Sequence, residues 1–177
     1  MQKPDIKELI EQTKQKRTLK QNYNKNYYKD VFTPLLELGK HFEELAIERL
    51  INFYNFNEPI IKRNDDKRYD VKIVNNGKRH TYEIKTDIRA IETNNIYIEY
   101  MSNNCLSGIS STEARNYVII IPYDVEKPLI LLIKVKVLKE LIIKEQYFLN
   151  LKGNEKNNFT AGYLFKLETL LKHSKLI

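Results

Sequence analysis

Lys67 to Asp87 reads KRYDVKIVNNGKRHTYEIKTD, and its middle brings two carboxylates and a lysine to one face of a strand pair. Asn76-Gly77 is a strong hairpin signal, because a two-residue type I′ turn needs positive φ at both positions. With those two residues as the loop, Asn75 faces Lys78 and Asp70 faces Glu83. Strand alternation puts Lys85 on the side of Glu83. The other side collects Tyr69, Val71 and Ile73 from one strand and Tyr82 and Ile84 from the next, a well-made core face. The register is therefore fixed by burial, and the polar face follows from it. Like charges directly opposite one another destabilise a sheet. Two unit charges about 4 Å apart repel by about 4 kcal/mol at an effective dielectric of about 20. Either one carboxyl keeps its proton or a cation lies between the two. A hard divalent ion such as Mg2+ suits oxygen ligands of this kind. The alternative is a solvated hairpin face whose charges splay apart.

The elements that must position these groups can be read on either side of the hairpin. TPLLELGKHFEELAIERLINFY, residues 33–54, predicts a helix with Thr33 as N-cap and Pro34 at the first helical position. Leu38, Phe42, Leu45, Ala46 and Arg49 share a face at helical spacing, and Glu43 borders it while Glu44 points more to solvent. Gly39 weakens that helix by about 1 kcal/mol relative to alanine, which suggests a close approach there. Strands are expected at Pro59–Lys62, Arg68–Val74, Arg79–Thr86 and Ile96–Tyr100. Ser110 and Glu113 in SGISSTEARN have capping-box spacing for a short helix. Tyr117–Ile121 and Leu129–Ile133 are continuous apolar runs, as in strands buried on both faces. Val135–Lys144 reads as a helix, KGNEKNN as a loop, and Tyr163–His173 as a closing helix. The fold class is α/β (α+β), a central mixed β-sheet flanked by helices.

Residues 1–30 are a separate basic arm ahead of a domain at 31–177: eight Lys and Arg stand against four Asp and Glu there. Pro4–Arg17 could form a short helix, and LKQNYNKNYYKD interleaves lysines with tyrosines. Lysines neutralise phosphates and tyrosines stack on bases, so the arm suits nucleic acid; packing on the core is the equal alternative. The whole chain carries a formal charge of +7 over 177 residues, in keeping with a polyanionic partner. One cysteine, Cys105, excludes an intrachain disulfide and suits a reducing, cytoplasmic setting. His41, His80 and His173 make no zinc-spaced cluster with it, and it has no evident histidine partner for nucleophilic catalysis. The apolar runs are too short to span a membrane, and no apolar segment after Met1 reads as a signal peptide.

Asp70 on one strand, then Glu83-Ile84-Lys85 on the next, resembles the PD-(D/E)XK nuclease superfamily, whose motif is an acidic residue followed by acidic-x-Lys. Tyr69 stands where the motif has proline. GKHFEELAIERL resembles the glutamate-bearing helix that precedes the motif, with Gly39 and Glu43 in the usual relative positions; NNIYIEY and SGISSTEARNYVIII resemble the strand, turn and helix that follow. The resemblance covers about Gly39 to Ile121. It implies a restriction-endonuclease-like core in which Asp70, Glu83 and the backbone carbonyl of Ile84 hold Mg2+, with Mn2+ as a substitute. Glu43, and with it Glu99, would act through water or a second metal. Lys85 would orient the attacking water or stabilise developing charge.

The implied activity is hydrolysis of DNA phosphodiesters. The core is expected to be too short to hold a separate target-recognition domain, which favours a structure-selective enzyme of the Holliday junction resolvase type or a small restriction- or homing-type nuclease, as a homodimer. The alternatives are a non-catalytic nucleic-acid-binding protein of the same fold and an RNA endonuclease. His41 near Glu43 would fit the RNA reading, but the lysine-bearing helix expected after EIK is replaced by NIYIEY. Ser110, Ser111 and Thr112 could donate to phosphate, and capping explains them as well. Pro4-Asp5 spells the motif's first two letters, but no hairpin follows it.

Overall fold

The computed structural model describes residues 33–63, 68–124, 126–155 and 158–177. The arm 1–30 with its Pro4–Arg17 helix, and the capping side chains of Thr33 and Pro34, lie outside the described part. In chain order the elements are α1 (Thr33–Tyr54), β1 (Ile60–Arg63), β2 (Val71–Asn75), β3 (Lys78–Thr86), α2 (Ala90–Thr93), β4 (Asn95–Ser102), β5 (Cys105–Leu106), a 3-10 turn (Gly108–Ser110), β6 (Asn116–Ile121), β7 (Leu129–Lys134), α3 (Val135–Ile143), β8 (Leu149–Glu155), β9 (Asn158–Lys166), α4 (Leu167–Leu171) and β10 (Lys175–Leu176).

Six strands form a mixed sheet in the order β1-β2-β3-β6-β7-β10. Its β3–β6 pair is parallel, and the others are antiparallel. The crossover from β3 to β6 carries α2, β4, β5 and the 3-10 turn. A second, antiparallel sheet has the order β5-β4-β9-β8.

The sheet is covered on both faces, which explains why β6 and β7 read as unbroken apolar runs. Val118 and Ile120 point to α1 and pack with Leu38, Phe42, Ala46, Ile47 and Leu50. Tyr117, Ile119 and Ile121 point the other way, into a core with Ile96, Ile98, Leu138, Phe165 and Leu170. On α1 the buried residues 38, 42, 46 and 50 recur at i, i+4, one face of a helix. Arg49, expected on that face, is exposed, and Leu50 takes the inward place. The expected close approach at Gly39 is also absent among the described residues: a Cβ there would meet nothing within 4 Å.

The hairpin has the register read from its turn, Asn75 opposite Lys78 through Val71 opposite Tyr82. Asn76 and Gly77 both have positive φ, 49° and 72°. The regular ladder stops at Val71, short of the expected Arg68 start. The chain bends at Asp70, so Tyr69 leaves the side of Val71 and Ile73 and packs against the core beyond the opposite face.

Two further expectations fail. SGISSTEARN makes a 3-10 turn and not an α-helix; Ser110 bonds back to Ser107 O and Glu113 N–H donates to Arg68 O, which ties the segment to the start of the hairpin. Strand β8 runs into the expected KGNEKNN loop, and β9 extends to Lys166, leaving α4 as a single turn in place of Tyr163–His173. Tyr163, Leu164, Phe165 and Leu167 fit a helix as well as a strand by type. Pairing of β9 between β4 and β8 decides for the strand.

Candidate active site

Asp70 sits where the β2 ladder gives way to a bend. Its N–H donates to the carbonyl of Tyr82, 3.0 Å away, so the backbone is still held against β3. Its carboxylate takes over the role of the missing strand: Oδ2 accepts the N–H of Ile84 at 2.7 Å. In an extended strand the N–H and C=O of one residue point to the same side. The Ile84 carbonyl therefore faces the side that Asp70 occupies.

Glu83 lies on β3 facing the core, opposite Tyr117 on β6, and is only 6% exposed. Its Oε1 meets the Lys85 ammonium at 3.0 Å, and its Oε2 accepts from the Thr112 hydroxyl at 3.0 Å. Lys85 Nζ is also 3.7 Å from Asp70 Oδ2. The cation that two facing carboxylates require is thus supplied in part by Lys85 itself. Lys85 remains 46% exposed and Asp70 33% exposed, so the cluster opens to solvent on one side.

Burial raises the Glu83 carboxyl above its usual range and Asp70 adds to the rise, while Lys85 opposes it. Burial acts to lower Lys85, but Asp70, Glu83 and Glu99 around it outweigh this and hold its ammonium more firmly protonated than a free lysine. Burial also raises Glu43, against the pull of Arg63, and Asp70 contributes to that rise. The buried hydroxyl of Tyr117 is pushed well up by desolvation, and then by Glu83, Asp70, Glu99 and Asp87. Glu43, on α1, lines a cleft together with Asp70, and the charge of Glu99, on the second sheet, is felt at Lys85.

Glu99 lies on a disrupted stretch of β4, near enough for its charge to be felt at Lys85. A β-bulge lies between Glu99 and Met101, the kind of irregularity that re-aims a side chain. Ser107 Oγ donates to Glu99 Oε1 at 2.8 Å. Gly108 has φ +49° and its backbone lies so close to Glu99 that a Cβ would be 2.3 Å from the Glu99 carbonyl oxygen.

Glu43 lines a cleft of about 300 Å³ with Lys40, Glu44, Arg63 and Asp70. Arg63, at the end of β1, ion-pairs with both Glu43 and Glu44. Glu44, although more exposed as the helical wheel indicates, is therefore held as well. His41 is exposed, meets the ring of Phe42 edge-on and is not among the residues that line the cleft.

Sequence reasoning did not single out Arg63, Lys40 or Tyr117, and weighed Thr112 only as a phosphate donor or cap. Thr112 and Tyr117 come from segments some thirty residues beyond the hairpin, while Lys40 and Arg63 are neighbours in sequence of Glu43 and Asp70 and carried no motif of their own. Asp87, just beyond the motif, is structural: its carboxylate accepts the N–H groups of Ala90 at 3.1 Å and Tyr97 at 2.9 Å and so joins β3 to α2 and β4.

The donor set fits a hard divalent ion in kind. Asp70 and Glu83 are acceptor-only oxygens already sharing one cation, and Asp70 Oδ1 has no bond among the described residues. Among the described residues no three His, Cys, Asp or Glu groups converge as a ready-made metal cluster. Comparisons of the chain with protein-family models, with curated proteins and with solved structures return no match.

Proposed function

We propose that this chain is a metal-dependent endonuclease that hydrolyses DNA phosphodiesters, with Asp70, Glu83 and Lys85 at its centre. The observation that carries the reading is the convergence of those three side chains on one solvent-open edge, with Lys85 Nζ 3.0 Å from Glu83 and 3.7 Å from Asp70. Glu43 and Glu99 add negative charge from two other elements, as the resemblance to the PD-(D/E)XK superfamily implies. A helix, an antiparallel meander and a strand parallel to its third member are a suitable frame for such a motif.

Asp70, Glu83 and the Ile84 carbonyl would hold Mg2+ or Mn2+, with Glu43 beside them. A bound divalent ion supplies a more acidic water and neutralises phosphate charge. The chain's own residues do the rest. Lys85, kept charged by its neighbours, donates to the attacking water or to a phosphate oxygen as negative charge develops. Lys40 on the cleft wall is a cation suited to a flanking phosphate, while Arg63 is engaged by Glu43 and Glu44. Cutting both strands of a duplex or junction calls for two such sites, hence a homodimer. The setting we propose is intracellular; among the described residues no helix is long and apolar enough to cross a membrane.

The test is cleavage of a labelled four-way junction beside its linear duplex, with Mg2+ or EDTA, by wild type and Asp70→Ala. Metal-dependent cutting of the junction alone, lost in the variant, supports a resolvase. Cutting of duplex too supports a restriction- or homing-type enzyme. A second reading, a non-catalytic nucleic-acid-binding protein, is favoured by one observation: the Lys85 ammonium already offsets part of the charge of the carboxylate pair. No cutting of DNA or matched RNA with any divalent ion would decide for it.

A further inference from the structure

Thr112 is one of two buried polar side chains in the described structure, at 6% exposure; the other is Glu83. Their side chains meet: Thr112 Oγ1 lies 3.0 Å from Glu83 Oε2. The hydroxyl also lies 3.2 Å from the Arg68 carbonyl, and it accepts the Ala114 N–H at 3.2 Å. A hydroxyl has one proton to give, and a carboxylate is the stronger acceptor. The proton therefore goes to Glu83, with the Ala114 N–H fixing the hydroxyl from behind.

The two Glu83 oxygens are thus divided between a rigid partner and a movable one. Oε2 is pinned on the buried side by Thr112, and Oε1 faces the half-exposed Lys85. A lysine ammonium on a four-carbon stem fixes direction poorly. A buried, β-branched hydroxyl held by the backbone fixes it well. The segment that carries Thr112 also carries Ser107, whose hydroxyl holds Glu99 at 2.8 Å, and Gly108, whose backbone lies against that of Glu99. Glu113 N–H then closes on Arg68 O at 2.7 Å, two residues before Asp70.

We propose that Thr112 is a positioning residue for Glu83, and that the 107–114 segment is a strap setting where the carboxylates of the two sheets stand relative to one another. The link to catalysis rests on the endonuclease reading above; the hydrogen bond to Glu83 does not. The test combines a double-mutant cycle in metal-free protein with cleavage kinetics. Thr112→Val removes the hydroxyl at nearly constant shape, Thr112→Ser keeps it, and Glu83→Leu removes its acceptor.

Thr112→Val should raise the unfolding equilibrium constant by about 10-fold or more in wild type, as for loss of a hydrogen bond to a charged group. In the Glu83→Leu background it should raise it by no more than about 3-fold, because the partner is already gone. A merely structural threonine, acting through Arg68 or Ala114, would give equal effects in both backgrounds, and that result overturns the proposal. Should Thr112→Val not fold, Thr112→Ala against Thr112→Ser reads the same coupling.

In cleavage, Thr112→Val should lower kcat by about 10- to 100-fold with KM for the nucleic acid unchanged, on the scale of a misplaced reacting group. Thr112→Ser should restore most of it. Coupling without any effect on kcat overturns the positioning role. Coupling in a protein whose wild type cuts nothing supports the Thr112–Glu83 bond and rejects the endonuclease reading alone.

Discussion

Lys85→Met takes away the positive charge that, among the described residues, bridges two carboxylates, while keeping most of the side chain's apolar stem. Nζ lies 3.0 Å from Glu83 and 3.7 Å from Asp70. At an effective dielectric of about 20, unit charges at those separations attract by about 5.5 and about 4.5 kcal/mol. Desolvation of the charges offsets much of this, and the 46% exposure of Lys85 screens more. Breaking a fully buried pair costs about 3–5 kcal/mol; with one partner half in water we expect about 2–3 kcal/mol.

The pH dependence identifies the cause. Glu83 has its pKa raised by burial even with Lys85 present, so losing Lys85 raises it further. Below that raised value Glu83 is neutral and no charge is stranded. The stability deficit of the variant should therefore be full at about pH 8 and shrink as the pH falls toward about 5, just above the ordinary carboxylate range. Urea denaturation of both proteins across that range is the assay. A deficit that is equal at both ends would refute the electrostatic account and leave only lost packing. Mg2+ at about pH 8 should recover part of the loss in the variant, since a divalent ion restores the missing charge.

Asp70→Ala and Glu83→Ala should each abolish cleavage while circular dichroism shows the fold intact; normal turnover in either variant would remove that residue from the site. Wild type itself should become more stable as the pH falls from neutral through the raised range of Glu83 and Asp87, since burial lifts both and their charged forms disfavour folding. Thermal melts that fall monotonically over that interval would contradict this. Gly39→Ala should stabilise by about 1 kcal/mol, because the added methyl meets nothing and helix propensity improves; a lower melting temperature would place an unseen neighbour there. Deleting residues 1–30 should weaken nucleic-acid binding and flatten its salt dependence, and an unchanged salt slope would give the arm a packing role instead.

What the sequence made legible was what local chemistry determines. Asn76-Gly77 dictates a turn with two positive φ values, and from that turn the register from Asn75–Lys78 to Val71–Tyr82 follows without any knowledge of the rest of the chain; the expected Asp70–Glu83 pair lies beyond the end of that ladder. The 22 residues of α1 were readable because 38, 42 and 46 recur at helical spacing. Of the second sheet only β4 was readable, as the strand expected at Ile96–Tyr100. Its strand β9 has residue types that suit either state, and only pairing with β4 and β8 selects one. Tyr69 was misplaced for a related reason: alternation holds only while the ladder continues, and the ladder ends where Asp70 turns its carboxylate to the Ile84 N–H.

That last detail bears on why the site lies where it does. Had the ladder continued through Asp70, a backbone carbonyl would have received the Ile84 N–H, and the Asp70 side chain would have pointed squarely off the sheet. With the strand bent away, the carboxylate itself closes the gap at 2.7 Å and is drawn to within 3.7 Å of Lys85. The Ile84 carbonyl lies on that same side of β3, beyond the end of the β2 ladder. Substituting Asp70 by asparagine therefore separates two roles. The amide oxygen can still accept the Ile84 N–H, so the bend should survive with a stability change of no more than about 1 kcal/mol. The charge facing Lys85 is gone, so cleavage should fall as far as in Asp70→Ala. If Asp70→Asn were instead as destabilised as the alanine variant, the carboxylate's charge and not its hydrogen bond would be what holds the strand end.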